Sequence, residues 1–173
     1  MRGGYIRALL LAALVFGPMI GETVRSRRHE RALRTAGAIE PRGDVYALMQ
    51  IAYPACFVAM LAESVLRPSV GAARGGLVVF GLAKGLKYWA IAALGPRWTF
   101  RVLVPPRAPR IVSGPYRWLR HPNYVGVAGE LAGVALAARA PRAGLAACLL
   151  FGTLMLARIE VEDRALEARD ETA

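Results

Sequence analysis

Cysteine is scarce in this chain. Its 173 residues include two, Cys56 and Cys148, each inside an apolar run. They build no disulfide framework and match no metal-ligand spacing, so no metal is expected, and they read as small apolar residues packed between helices. Acidic residues are scarce as well. Twelve Asp and Glu stand against 23 Lys and Arg, a formal net charge of +11. Charge alone would suit a nucleic-acid binder. However, the chain is 55% hydrophobic with a mean hydropathy of +0.36, and a soluble nucleic-acid binder does not carry several long uncharged apolar runs. Basic loops between apolar runs are the pattern of a membrane protein.

Five runs approach the roughly 20 residues that span a bilayer. They cover 5–21, 45–66, 75–95, 123–138 and 143–157. The last two are short and joined by Arg139-Ala140-Pro141-Arg142, which predicts a tight helical hairpin. The expected fold is therefore all-α: one polytopic domain over 1–173, since a lipid-exposed backbone must hydrogen-bond within its own segment. Arg2 and Arg7 precede the first run as in a signal peptide. No small-residue cleavage site follows, and the basic cluster RSRRHER from Arg25 resists export, so a retained helix is expected.

The loops differ in charge. The stretch 22–44 carries Arg25, Arg27, Arg28, Arg31, Arg34 and Arg42. The stretch 96–122 carries Arg97, Arg101, Arg107, Arg110, Arg117 and Arg120. With five spans both fall on the side of the C-terminal tail. The positive-inside rule makes that side cytoplasmic.

On this side lies GPYRWLRHPNY, Gly114 to Tyr124. Gly-Pro predicts a turn, Pro122 pushes His121 out of helical angles, and proline suits the first position of a helix. The fourth helix is expected to start at Pro122 with His121 near its cap. Free N–H groups of Asn123, Tyr124 and Val125 would then attract a carboxylate. Tyr116, Trp118 and Tyr124 offer faces to a cationic or aromatic ligand. Composition alone favours a juxtamembrane anchor, with arginines on lipid phosphates and aromatics at the interface. Beyond the hairpin, Arg158 and Glu162 sit at i and i+4 on one helix face. That pair is either a surface ion pair or a carboxylate for ligand hydroxyl or amino groups beside an arginine for an anion.

Arg120-His121-Pro122-Asn123-Tyr124, a hydrophobic stretch, then Arg158-Ile159-Glu160-Val161-Glu162-Asp163 resembles the isoprenylcysteine carboxyl methyltransferase family. Asp163 stands where that family usually has glutamate. The resemblance is fullest over 95–166. It implies a membrane methyltransferase dependent on S-adenosylmethionine. Its pocket would be formed by the 96–122 loop, the start of the fourth helix and the C-terminal helix. It further implies cofactor contacts from Ala108, Pro109, Arg110, Ile111, Tyr116, His121, Pro122, Asn123, Tyr124 and Glu162, with Arg158 facing a substrate anion. No Gly-rich loop follows a strand, so no Rossmann sheet holds the cofactor.

The stretches 30–64 and 87–104 resemble small bacterial members linked to O-methylation of alkylpyrones and alkylresorcinols. The favoured acceptor is thus a hydroxyl of a long-chain polyketide lipid. A prenylated cysteine carboxylate is the alternative, phospholipid N-methylation a third option, and a non-catalytic lipid-binding protein the reading from another class. A carboxylate acceptor needs only Arg158 to aim it. A hydroxyl needs help to lose its proton, from His121 or Glu130. Glu130 lies at membrane depth, where an acid is a functional candidate by default. Glu63 is expected to pair with Lys84 or Lys87.

Overall fold

The computed structural model describes residues 2–67, 74–106, 109 and 111–171, with no strand among them. Five helices follow in order: α1 (Arg2–Thr35), α2 (Tyr46–Leu66), α3 (Arg74–Leu94), α4 (Pro122–Ala138) and α5 (Pro141–Glu171). Two short 3-10 turns, Gly95–Arg97 and Gly114–Arg117, lie in the α3–α4 connection. Four helices, α1, α2, α3 and α5, are long and apolar enough to cross a membrane. At 17 residues α4 is about 26 Å long against a ~30 Å hydrocarbon core. The fourth expected span, 123–138, is thus a shorter helix held inside the bundle, with Leu131, Val134 and Ala138 buried.

One expected boundary moves. The first basic stretch is not a loop but helix as far as Thr35. Nothing between Gly21 and Thr35 breaks the helix, and Glu22, Ser26 and Leu33 fall on one buried face at helical spacing. The fifth helix runs past the apolar run 143–157 and through the charged tail as far as Glu171, carrying Arg158 and Glu162 on helix as their i, i+4 spacing predicts. The hairpin before it turns on Arg139, which closes α4 in a left-handed conformation (φ 52°), and Pro141 opens α5.

α3 and α4 pack antiparallel with their backbones nearly touching. A Cβ on Gly133 would lie 2.6 Å from the Phe80 nitrogen, one on Gly129 2.7 Å from the Ala83 Cβ, and one on Gly126 2.9 Å from the Lys87 Cβ. Small residues recur at close helix crossings in membranes because dispersion replaces the hydrophobic drive there. α2 and α5 are antiparallel too. Met49 meets Arg158 at one end, and Glu63 accepts from the N–H groups of Arg142 (3.4 Å) and Ala143 (2.6 Å) at the other.

This corrects the expected Glu63–lysine pairing. Glu63 caps the start of α5, and the two lysines belong to Glu22 and Glu130. The helix α1 brings Glu22 to membrane depth, a partner visible only once that helix is placed.

The antiparallel packing gathers one polar face. It holds the end of α1, the 36–45 loop, the α3–α4 connection, the start of α4 and the C-terminal half of α5. The two loops are stitched by an antiparallel bridge, Ile39 to Val104, and by Arg101, which reaches Glu40 at 2.6 Å. Burial alone would raise the Glu40 pKa, but hydrogen bonds from Arg101 and Arg34 hold it below the usual carboxylate value. Ser26 Oγ accepts from the Phe100 N–H at 2.8 Å, and His29 Nδ1 donates to the Trp98 carbonyl at 2.8 Å, so the extended α1 braces the connection.

Candidate active site

A cavity of about 590 Å³ opens among these elements. Ligand pockets of roughly 300–1,000 Å³ take molecules of cofactor size. Of the residues expected to meet the cofactor, Pro109, Ile111, Tyr116, His121, Asn123, Tyr124 and Glu162 line it. Ala108 and Arg110 lie outside the described residues. Pro122 is buried behind the lining as the first residue of α4.

His121 is the N-cap of α4 at φ −130° and ψ 63°, as the following proline requires. Its carbonyl accepts from the N–H groups of Tyr124 (3.2 Å) and Val125 (3.3 Å). The expected trio of free donors therefore reduces to Asn123. A cap carbonyl takes the first helical bond in any helix, so Val125 was never free.

The two motifs meet at Tyr124. Its hydroxyl donates to Glu162 Oε2 at 2.8 Å and accepts from Arg158 Nε at 2.9 Å. Arg158 Nη1 lies 3.2 Å from Asp44 Oδ1 and also faces the Met49 sulfur, while Nη2 donates to the Phe100 carbonyl. Asp44 in turn accepts from the backbone N–H groups of Tyr46 (3.1 Å) and Val102 (3.3 Å). Sequence reading gave Arg158 to a substrate anion. In the structure Arg158 lines the cavity, and its Nη1 is paired with Asp44.

His121 Nε2 donates to Asp163 Oδ1 at 3.1 Å, which places the proton of the neutral ring on Nε2. Arg120 shares the same Asp163 oxygen at 3.2 Å. The shorter aspartate therefore reaches the motif. Burial, with the Glu162 carboxylate beside it, holds the Tyr116 hydroxyl well above its ordinary pKa, so it stays protonated. Trp98 Nε1 donates weakly to Asn123 Oδ1 at 3.4 Å.

Glu130 is not in the cavity lining. It is 1% exposed and held by Lys84 at 3.1 Å, Lys87 at 3.3 Å and the Tyr53 hydroxyl at 2.6 Å. Asp44, Tyr53, Ser26 and His29 were not singled out from sequence. Only Asp44 carried a signal, as an acid just ahead of a helix start.

The molecule is thus an integral membrane protein with its polar chemistry at the ends of helices. The chain belongs to the isoprenylcysteine carboxyl methyltransferase family, whose sequence profile matches residues 76–168, more than half of it. That membership supports a membrane methyltransferase, and members of the family use S-adenosylmethionine. Among curated proteins it is similar to the uncharacterized protein YpbQ of Bacillus subtilis, 29% identical over 91% of this chain and 95% of that one. It is also similar to an uncharacterized protein of Haemophilus influenzae, 27% identical over 82% and 84%. No solved structure matches the chain.

Proposed function

We propose that this protein transfers a methyl group from S-adenosylmethionine to an oxygen of a lipophilic acceptor, with its site at the cytoplasmic face of a bacterial inner membrane. The observation that carries this reading is the Arg158–Tyr124–Glu162 chain, which joins the two motifs on the wall of one cavity. The donor set fits the cofactor's chemistry. The Glu162 carboxylate suits a ribose diol or an ammonium, the Asn123 N–H suits a carboxylate, and the rings of Tyr116 and Tyr124 suit a sulfonium.

When bound, the cofactor supplies an electrophilic methyl group. The protein's own work is to hold the acceptor in line and keep water out. Tyr124, fixed on both sides by Arg158 and Glu162, is a rigid wall for that purpose. His121 is fixed through the contact of its Nε2 with Asp163.

The favoured acceptor is a hydroxyl of a long-chain polyketide lipid, of the alkylpyrone or alkylresorcinol kind. Its support is the Arg158–Asp44 pair: a guanidinium already neutralised by a buried aspartate has little left for an acceptor carboxylate. Purified protein in detergent is given labelled S-adenosylmethionine and extracted lipids, and the products are read by mass spectrometry. A methyl ether on a long-chain phenol or enol is expected. A methyl ester of a prenylated cysteine would move the acceptor to the carboxylate, and no calorimetric heat with S-adenosylmethionine would overturn the enzyme reading.

A further inference from the structure

A buried ionic cluster lies beneath the cavity. Four helices contribute to it: Glu22 from α1, Tyr53 from α2, Lys84 and Lys87 from α3, and Glu130 from α4. Lys84 Nζ lies 2.8 Å from Glu22 and 3.1 Å from Glu130. Lys87 Nζ lies 2.6 Å from Glu22 Oε2 and 3.3 Å from Glu130 Oε1. Those two carboxylate oxygens are fully buried, and neither has a well-directed hydrogen bond. Two ammoniums against two carboxylates make the cluster neutral. A bundle needs no such group for strength, since apolar side chains of the same volume serve as well or better. Ionisable groups at membrane depth are functional candidates by default.

The cluster touches the cavity at two points. Tyr53 and Lys87 belong to the lining, while Glu22, Lys84 and Glu130 stand behind them. Lys87 is 2% exposed and has no well-directed hydrogen bond to either carboxylate. Tyr53 donates to Glu130 Oε2 at 2.6 Å, so its oxygen lone pairs remain for a ligand. Around them the lining is largely apolar, with Met19, Pro54, Val127 and Phe151, and Thr23 and Gln50 as the polar residues of α1 and α2 there. A ligand reaching this end needs an apolar body and one polar oxygen. That oxygen must accept from Lys87 and donate to Tyr53. A hydroxyl does both and a carboxylate only the first.

We propose that Tyr53 and Lys87 bind and deprotonate the acceptor hydroxyl, with Glu130 receiving the proton through Tyr53. This rests on the methyltransferase reading above. The acceptor O–H bond breaks as a new O–H bond forms on Tyr53, and the proton already on Tyr53 passes to Glu130 Oε2. The cluster goes from neutral to one positive charge, opposite the acceptor oxyanion, which Lys87 stabilises. The oxyanion then bonds to the methyl carbon as the carbon–sulfur bond breaks, its electron pair staying on sulfur. Glu130 releases the proton by the same route afterwards.

The test is Tyr53→Phe, which removes one oxygen atom and keeps the ring. Cofactor affinity is measured by calorimetry, and turnover on two acceptors: a long-chain alkylresorcinol, a weak acid, and a long-chain 4-hydroxy-2-pyrone, already ionised at neutral pH. The variant is expected to bind cofactor like the wild type and to lose on the order of 100-fold in kcat on the resorcinol, with a loss under about tenfold on the pyrone. Glu130→Gln should reproduce that contrast. Unchanged turnover, or an equal loss on both acceptors, overturns the proposal and leaves the methyltransferase reading standing. A wild type that binds no cofactor removes both, and one that binds cofactor but methylates neither acceptor removes this proposal alone.

Discussion

Arg158 Nη1 lies 3.2 Å from Asp44 Oδ1, with side chains 6% and 5% exposed. This pair ties the C-terminal helix to the loop before α2, and Asp44 also holds Val102 of the α3–α4 connection. Asp44→Ala leaves a buried guanidinium without its counter-charge. The expected cost is about 3–5 kcal/mol, or a fall of roughly 10 °C in apparent unfolding temperature. Thermal unfolding in detergent checks it, and an unshifted transition would refute the clamp.

Glu162→Gln weakens S-adenosylmethionine binding by about 10- to 100-fold, the worth of one charge-assisted hydrogen bond. Arg158→Lys weakens it as well, because a lysine has no second nitrogen to hold Tyr124 and Asp44 together. Titration calorimetry reads both. Cofactor affinity unchanged in the lysine variant would mean that Arg158 does not act through Tyr124.

The α3–α4 seam tolerates no side chain at its centre. Gly133→Ala is expected to destabilise by about 1–3 kcal/mol, because its Cβ would press on Phe80 backbone rather than on a movable side chain. Gly81→Ala on the same pair of helices meets nothing within 4 Å and is expected to be neutral or slightly stabilising. Similar unfolding temperatures for both variants would contradict the close approach.

Glu63→Ala removes the cap of α5 at the end of the bundle far from the cavity. About 1 kcal/mol of stability is lost, with cofactor affinity and turnover intact. A large fall in turnover would place Glu63 in the site instead.

Glu40 makes the junction of the two loops sensitive to acid. Its folded pKa is lowered, so its contribution is present above the ordinary carboxylate value and lost as pH falls through the folded one. Comparing wild type with Glu40→Gln by thermal unfolding, the gap seen near pH 7 should close near pH 3. A gap of constant size would exclude the linkage.

Much of the architecture was legible because its causes are local. Uninterrupted apolar runs foretold the helices, and Pro122 foretold the start of α4 with His121 as its cap. Arg120 to Tyr124 and Arg158 to Asp163, in order and separated by a hairpin, foretold the family, and the tail helix places the second set opposite the first. The extension of α1 was legible in principle. Its arginines drew attention as charge, while the buried register of Glu22, Ser26 and Leu33 needed a partner surface to be read.

What the sequence by itself determined is where the apolar helical runs lie, which end of the bundle is polar, and which family the two motifs belong to. Spacing, proline and hydropathy act within a few residues. Only the tertiary structure decided the pairings. Glu63 caps α5, Glu22 and Glu130 take the two lysines, Asp44 takes Arg158, and Tyr53 and Lys87 connect the ionic cluster to the cavity. A charge buried in a membrane bundle binds whichever counter-charge the helix packing brings within about 3 Å. Packing is set by the glycine seam of α3 and α4 and by the reach of α1, which bring together charges as far apart in the chain as Glu22 and Lys84.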